Sequence, residues 1–145
     1  MAGTTLFERI LIGEIPAFFI AKGEGWASFL DVFPRREGHT LVIPTAPATH
    51  LQELSDLESK QLMVGVKETQ RILSRYFSTE DFTVLLHDGP LAGQEIPHVH
   101  FHVIPREAGD GGKGLLSLWP NVGLPGGSPD LETLSALHAQ ITGGE

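Results

Sequence analysis

The sequence predicts an α+β domain: a five-stranded, mostly antiparallel sheet with one long helix and short terminal helices. Three observations lead there. Five short runs rich in Val, Ile, Leu, Phe and Trp are separated by turns bearing Gly or Pro, the mark of strands. One long segment repeats its apolar residues near a 3.6-residue period instead. Strands in succession around a single long helix, without strict alternation, point to α+β rather than a parallel sheet.

Taken in order, Thr5 to Ile12 reads as a short helix with Leu6, Ile10 and Leu11 on one side, Gly13 as its stop and Pro16 beyond. Phe18–Ala21 and Trp26–Phe33 form a hairpin around Lys22-Gly23-Glu24-Gly25. A turn at Pro34–Gly38 leads into a strand at His39–Ile43. Ser55-Asp56-Leu57-Glu58 has the spacing of a capping box. The helix it opens carries Leu62, Val66, Leu73 and Tyr76 as its core stripe, widened by Met63 and Ile72. Phe82–His87 is a fourth strand and His98–Ile104 a fifth. Ser128-Pro129-Asp130 starts a terminal helix, Ser as cap and Pro in the first turn, carrying Leu131, Leu134, Leu137 and Ile141.

At 145 residues, 41% hydrophobic and 19% charged, the chain is the size of one domain with a proper core. Residues 1–108 are read as that core. Residues 109–145 are read as a Gly/Pro-rich extension of the same single domain, ending in the short helix. The stretch Gly109 to Pro129 is too glycine-rich for a core element yet holds Leu115, Leu116, Leu118 and Trp119, so it is expected to pack on the domain or on a partner subunit. No apolar run approaches the ~20 residues of a membrane span, and the first residues lack the character of a signal peptide. With no cysteine, thiolate metal sites and disulfides are excluded, and a cytoplasmic location is expected. A formal charge of −8 disfavours long nucleic acids and anionic membranes as partners, but not a mononucleotide held by local backbone N–H groups.

The most informative stretch is His98-Val99-His100-Phe101-His102-Val103-Ile104. Side chains alternate faces along a strand, so the three histidines share one face and Val99, Phe101 and Val103 the other. Alternate Cα atoms lie roughly 6.6 Å apart, close enough for the imidazoles to bracket one small charged group. Imidazole near neutral pH serves as nucleophile, general acid or base, or metal ligand. Burying three of them without function would cost several kcal/mol unless each is paired. Alternating histidines also suit zinc, copper or iron, with His39, His50, His87 and Glu95 as further ligands. On the residues alone, a phosphate-directed nucleophile and a metal centre both stand.

The spelling resembles a known family. His98-x-His100-x-His102 followed by apolar residues is similar to the signature of the histidine triad (HIT) family of nucleotide hydrolases and transferases. Asp88-Gly89-Pro90-Leu91-Ala92-Gly93-Gln94 before it resembles the family's Gly-Gln loop, and is closest to the dinucleoside triphosphate hydrolase (fragile histidine triad) branch. Leu30–Pro34 with Gly38–Pro44 resembles its strand pair, and Ile12–Pro16 its amino-terminal segment. The resemblance runs from about Thr5 to Arg106.

It implies a HIT-like fold in which His100 attacks an α-phosphorus to form a nucleotidyl-histidine, while His98 and His102 surround the phosphate. Phe7, Ile10, Phe29 and Val32 match its apolar nucleoside slot, and Asp31 its ribose-binding carboxylate. Gly93 and Gln94 match the phosphate loop. Glu95 stands where Ser or Thr is usual, and His87 where Asn or Gln is. Glu95, which only accepts hydrogen bonds when ionised, is expected to turn away from the phosphate and leave its N–H to it. Taken alone, His39 and His50 read as structural, and Trp119 as a base-stacking or dimer-contact residue.

The implied partner is a purine nucleotide, in a homodimer joined through the long helix and a central strand, with neither nucleic acid nor membrane. No cofactor or protein-bound metal is implied; Mg2+ would act only through the outer phosphates of a polyphosphate substrate. The implied reaction is hydrolysis or nucleotidyl transfer at a phosphoanhydride or phosphoramidate, with an adenosine phosphoramidase or a nucleotide-binding signalling module as the alternatives.

Overall fold

A computed structural model describes residues 4–110, 128 and 130–142. The chain divides into two compact units, Met1–Gly112 and Lys113–Glu145. The first holds α1 (Leu6–Leu11), β1 (Phe19–Gly23), β2 (Trp26–Leu30), β3 (Thr40–Pro44), α2 (Asp56–Phe77), β4 (Phe82–Leu86) and β5 (Phe101–Pro105). The sheet order is β1-β2-β3-β5-β4, and every pairing is antiparallel. The α2 crossover carries the chain from β3 to the far edge, so β5 returns between them and occupies an interior position.

Both faces of the central strands are covered, so they are largely buried and mostly apolar, with Ser28, Thr40 and His102 as the polar exceptions. On one face α2 lays Leu62, Val66 and Leu73 against Trp26, Val42, Val99 and Val103. On the other, Phe7 and Ile10 of α1 pack with Ala27, Phe29, Leu41 and Ile43. The long helix comes close to β2 at Gly65, where a Cβ would fall 2.5 Å from Trp26 Cδ2. One helical turn later, Thr69 donates to Ser28 Oγ at 2.9 Å, satisfying two fully buried hydroxyls. Capping boxes set both helix starts: Thr5 with Glu8 for α1, Ser55 with Glu58 for α2.

The expected elements are all present, with corrections at their ends. β1 begins one residue late, β3 runs Thr40–Pro44 rather than His39–Ile43, and β4 stops at Leu86. β2 stops at Leu30 rather than Phe33, because Asp31 Oδ1 accepts the Phe33 N–H at 2.9 Å and folds the chain into a turn before Pro34. β5 starts at Phe101 rather than His98; His98 lies in a bend whose N–H donates to Ile96 O. On α2, Tyr76 and Met63 are exposed, while Thr69 and Gly65 are buried and Phe77 packs on the core. Continuing from Leu73, a helix returns to the same face at either 76 or 77, and here the sheet is met at Phe77.

In the second unit, α3 (Leu131–Thr142) is capped by Asp130 rather than Ser128: its carboxylate accepts the Thr133 N–H at 3.0 Å and the Thr133 hydroxyl at 2.7 Å. The Gly/Pro-rich stretch with Trp119 and the side chains of Leu134, Leu137 and Ile141 lie outside the described residues. Among the described residues, no helix is long and apolar enough to cross a membrane.

Candidate functional site

The approach to β5 keeps the alternation inferred from sequence even where it is not yet strand. Val99, Phe101 and Val103 enter the α2 core, while the Phe7 ring packs T-shaped with His98 and His100 at centroid distances of 5.8 and 5.0 Å on the opposite face. A cavity of about 690 Å³ opens on that side. Phe7, Ile10, Phe29, Asp31, Val32, His87, Gly93, Glu95, His100 and His102 all line it. Two expected residues do not. His98 is fully buried behind the cavity, and Gln94, 8% exposed, turns its amide to donate to Thr49 O at 2.7 Å.

The hydrogen bonds fix the imidazole tautomers. A carbonyl oxygen only accepts, so the ring nitrogen facing one must carry the proton. His98 Nε2 faces Pro44 O at 2.9 Å and is therefore the donor, leaving Nδ1 to accept from the Thr5 hydroxyl at 3.3 Å. His100 Nδ1 donates to His98 O at 2.7 Å, which leaves Nε2 as the nitrogen with the free lone pair. His87 Nδ1 donates to Ala92 O at 2.8 Å.

The last pair is solved from its far end. The Arg35 backbone N–H donates to His39 Nδ1 at 3.0 Å, so neutral His39 carries its proton on Nε2. That nitrogen is 2.8 Å from His102 Nδ1 and 3.6 Å from Asp31 Oδ2. His39 thus donates to His102, and His102 carries its own proton on Nε2. His39 is 3% exposed and lines the cavity. The structural role read from its sequence context is corrected here: the β2–β3 turn brings it onto the triad from 63 positions away.

Electrostatics keeps the rings neutral. Burial holds His39, His98 and His100 below the usual histidine range, outweighing the carbonyl hydrogen bonds of His98 and His100 and the pull of nearby carboxylates. His102 is pushed down to about 4, by burial first and then by its neighbours His100, His39 and His87. Asp31, His39 and His102 offer three donor atoms within 4.8 Å of one another. A metal on His39 Nε2 would need the proton on Nδ1, facing the Arg35 N–H donor, whereas a ligating histidine normally gives that proton to an acceptor. The cluster suits a hydrogen-bonded chain better than an ion.

The loop after β4 brings backbone to the cavity. Gly89 and Gly93 have φ of +98° and +96°, a region that favours glycine, and a Cβ on Gly89 would also fall 2.6 Å from His50 Nε2. Asp88 Oδ1 accepts the Leu51 N–H at 2.9 Å, fastening the loop to the segment after β3. Glu95 is exposed, as an outward-turned side chain would be, and the residue lines the cavity. Among the further lining residues that sequence reasoning did not single out are Arg35, Leu85, Ile96 and Ile104, none of which carries a spacing signal of its own.

The family model described as HIT domain matches residues 12–109. An uncharacterized HIT-like protein of Methanocaldococcus jannaschii is 41% identical over 106 residues, 73% of this chain and 81% of that protein. Adenosine 5'-monophosphoramidase of Saccharomyces cerevisiae is 31% identical over 136 residues, 94% of this chain and 79% of that enzyme. Among solved structures, a histidine triad nucleotide-binding protein from Candida albicans superposes with a TM-score of 0.78 at 30% identity, covering 96% of this chain and 95% of that one. The α+β, HIT-like expectation for the fold is met by this agreement.

Proposed function

The chain belongs to the HIT domain family, and on that premise we propose that it is a nucleotide hydrolase or nucleotidyl transferase acting at the α-phosphorus of a purine nucleotide through His100. One observation carries the reading: His100 Nδ1 is engaged by His98 O at 2.7 Å, leaving the Nε2 lone pair of a neutral, cavity-lining ring as the nucleophile. In the first step Nε2 bonds to phosphorus, and the bond from phosphorus to the leaving oxygen or nitrogen breaks. The leaving group departs with the electron pair and takes up a proton. In the second, water bonds to phosphorus, the phosphorus–Nε2 bond breaks, and nucleoside monophosphate leaves with His100 regenerated and one proton released.

The remaining residues have supporting roles. His102 Nε2–H, its proton placed by the His39 chain, donates to a phosphate oxygen. The backbone of the Gly93 turn approaches another. Phe7, Ile10, Phe29 and Val32 hold the base, and Asp31 the ribose. His87 contributes a ring nitrogen beside His102, their centroids 5.5 Å apart. Catalysis uses no bound metal or organic cofactor, with Mg2+ confined to the outer phosphates of a polyphosphate substrate. The assembly is a homodimer in the cytoplasm, for which exposed Met63 and Val64 on α2 offer apolar surface.

The test is His100→Ala. Turnover of an adenosine phosphoramidate or of diadenosine triphosphate should fall by several orders of magnitude, while AMP binding weakens far less. Turnover at the wild-type rate would end the assignment.

A further inference from the structure

Glu95 is the carboxylate of the cavity that the mechanism leaves unused. Its place is well determined: Gly93 turns the loop at φ +96°, and Gln94 is pinned by Thr49 O at 2.7 Å. Glu95 is exposed and is one of the residues lining the cavity, and its carboxylate makes no hydrogen bond or ion pair among the described residues. The other carboxylate lining the cavity, Asp31, is engaged by the Phe33 N–H and lies 3.6 Å from His39 Nε2. Arg35 is the one Lys or Arg among the lining residues and belongs to the same turn as Asp31, not to the loop that carries Glu95. The charge is close enough to His100 to favour protonation of that ring, against the larger effect of burial.

We propose that Glu95 selects the leaving group: the cavity prefers nucleotides whose α-phosphate is joined to an amine bearing an ammonium, and disfavours those joined to a polyphosphate. The proposal rests on the reading that His100 attacks the α-phosphorus. Phe7, Ile10 and Phe29 come from α1 and β2 and suit the nucleoside, whereas Glu95 comes with Gly93 and His87 from the loop after β4, where the departing group would lie. A polyphosphate brings several negative charges within a Debye length of an unneutralised carboxylate, and each is repelled. An ammonium is attracted instead. The carboxylate is solvated, so the preference is modest, about fivefold at the upper range of an exposed ion pair.

The experiment compares kcat/KM for three substrates in the wild-type protein and Glu95→Gln, which removes the charge at nearly constant shape. The substrates are the adenosine 5'-phosphoramidates of 1,4-diaminobutane and of n-pentylamine, the first cationic and the second neutral, together with diadenosine triphosphate. The wild-type protein should favour the cationic over the neutral amine by about fivefold, less as salt is raised, and Glu95→Gln should bring the ratio near one. Diadenosine triphosphate should gain on the neutral amide by a similar factor in the variant. Equal ratios in the two proteins would overturn the role of Glu95 while leaving His100 in place. Turnover of none of the three by the wild-type protein would overturn the His100 reading and the proposal with it.

Discussion

Replacing His39 tests whether the site works as a chain of placed protons. His39 is 3% exposed and makes two contacts that matter: it accepts the Arg35 N–H at 3.0 Å and donates to His102 Nδ1 at 2.8 Å. His39→Ala removes both. A buried acceptor left unpaired costs about 1–3 kcal/mol, and if that cost falls on the transition state the rate drops by about 5- to 150-fold. Water entering the space left by the ring can donate to His102 in its place, which moves the expectation to about tenfold. His39→Gln provides an amide oxygen for Arg35 and an amide N–H for His102, so it should recover part of the loss. The assay is kcat and KM on an adenosine phosphoramidate, with AMP affinity measured separately. A fall in kcat with AMP affinity little changed, and partial recovery in Gln, is the expected outcome. Equal kcat in all three proteins would refute the proton chain and reduce His39 to a filler of the core.

The same neutral rings make the fold sensitive to acid. The unfolded chain takes up a proton on His102 near pH 6.5, while the folded protein resists until about 4. Stability is therefore lost as pH falls through that interval, with a ceiling of about 3 kcal/mol and an effect of order 2 kcal/mol once solvent access to the ring is allowed for. Urea unfolding at pH 7.5 and 4.5 should show His102→Asn losing less stability than the wild-type protein, and equal losses would contradict the linkage. Gly65→Ala sets helix propensity, worth about 1 kcal/mol in its favour, against a Cβ that falls 2.5 Å from the buried Trp26 ring, an overpacking cost of about 1–3 kcal/mol. Overpacking should win by about 1 kcal/mol, lowering the thermal midpoint by about 3 °C; a raised midpoint would show that the ring yields freely.

What could be read from the sequence was what depends on local spacing. The two-residue alternation of His98, His100 and His102 survives although the chain before Phe101 is not regular strand, because Val99, Phe101 and Val103 still need the α2 core. The Ser55–Glu58 capping box fixed the start of α2 to the residue. The helix at the start of the chain is legible from its apolar side and its Gly13 stop, and the Thr5–Glu8 box, with the same spacing, sets its first residue at Leu6. Asp31 is singled out in the sequence through the resemblance, and its neighbours in the fold are the Phe33 N–H and His39, the second reached only after the β2–β3 turn has folded. As a hydrogen-bond partner of the triad His39 was illegible for that reason: its contact with His102 depends on the β3–β5 pairing of Leu41 with His102, which no local pattern specifies. The tautomers, set by carbonyls of Pro44, His98 and Ala92, belong to the folded backbone alone.

The central claim is that the free nitrogen of His100 becomes bonded to phosphorus. Rapid denaturing quench of the wild-type protein during turnover of an adenosine phosphoramidate, followed by peptide mass analysis at alkaline pH, reads this directly. The account predicts an adenylyl increment on the peptide spanning His98–His102, localised to His100 by fragmentation and absent from His100→Ala. Turnover with the increment on another residue, or single-turnover product formation in which no adduct is detected at any time, would contradict it.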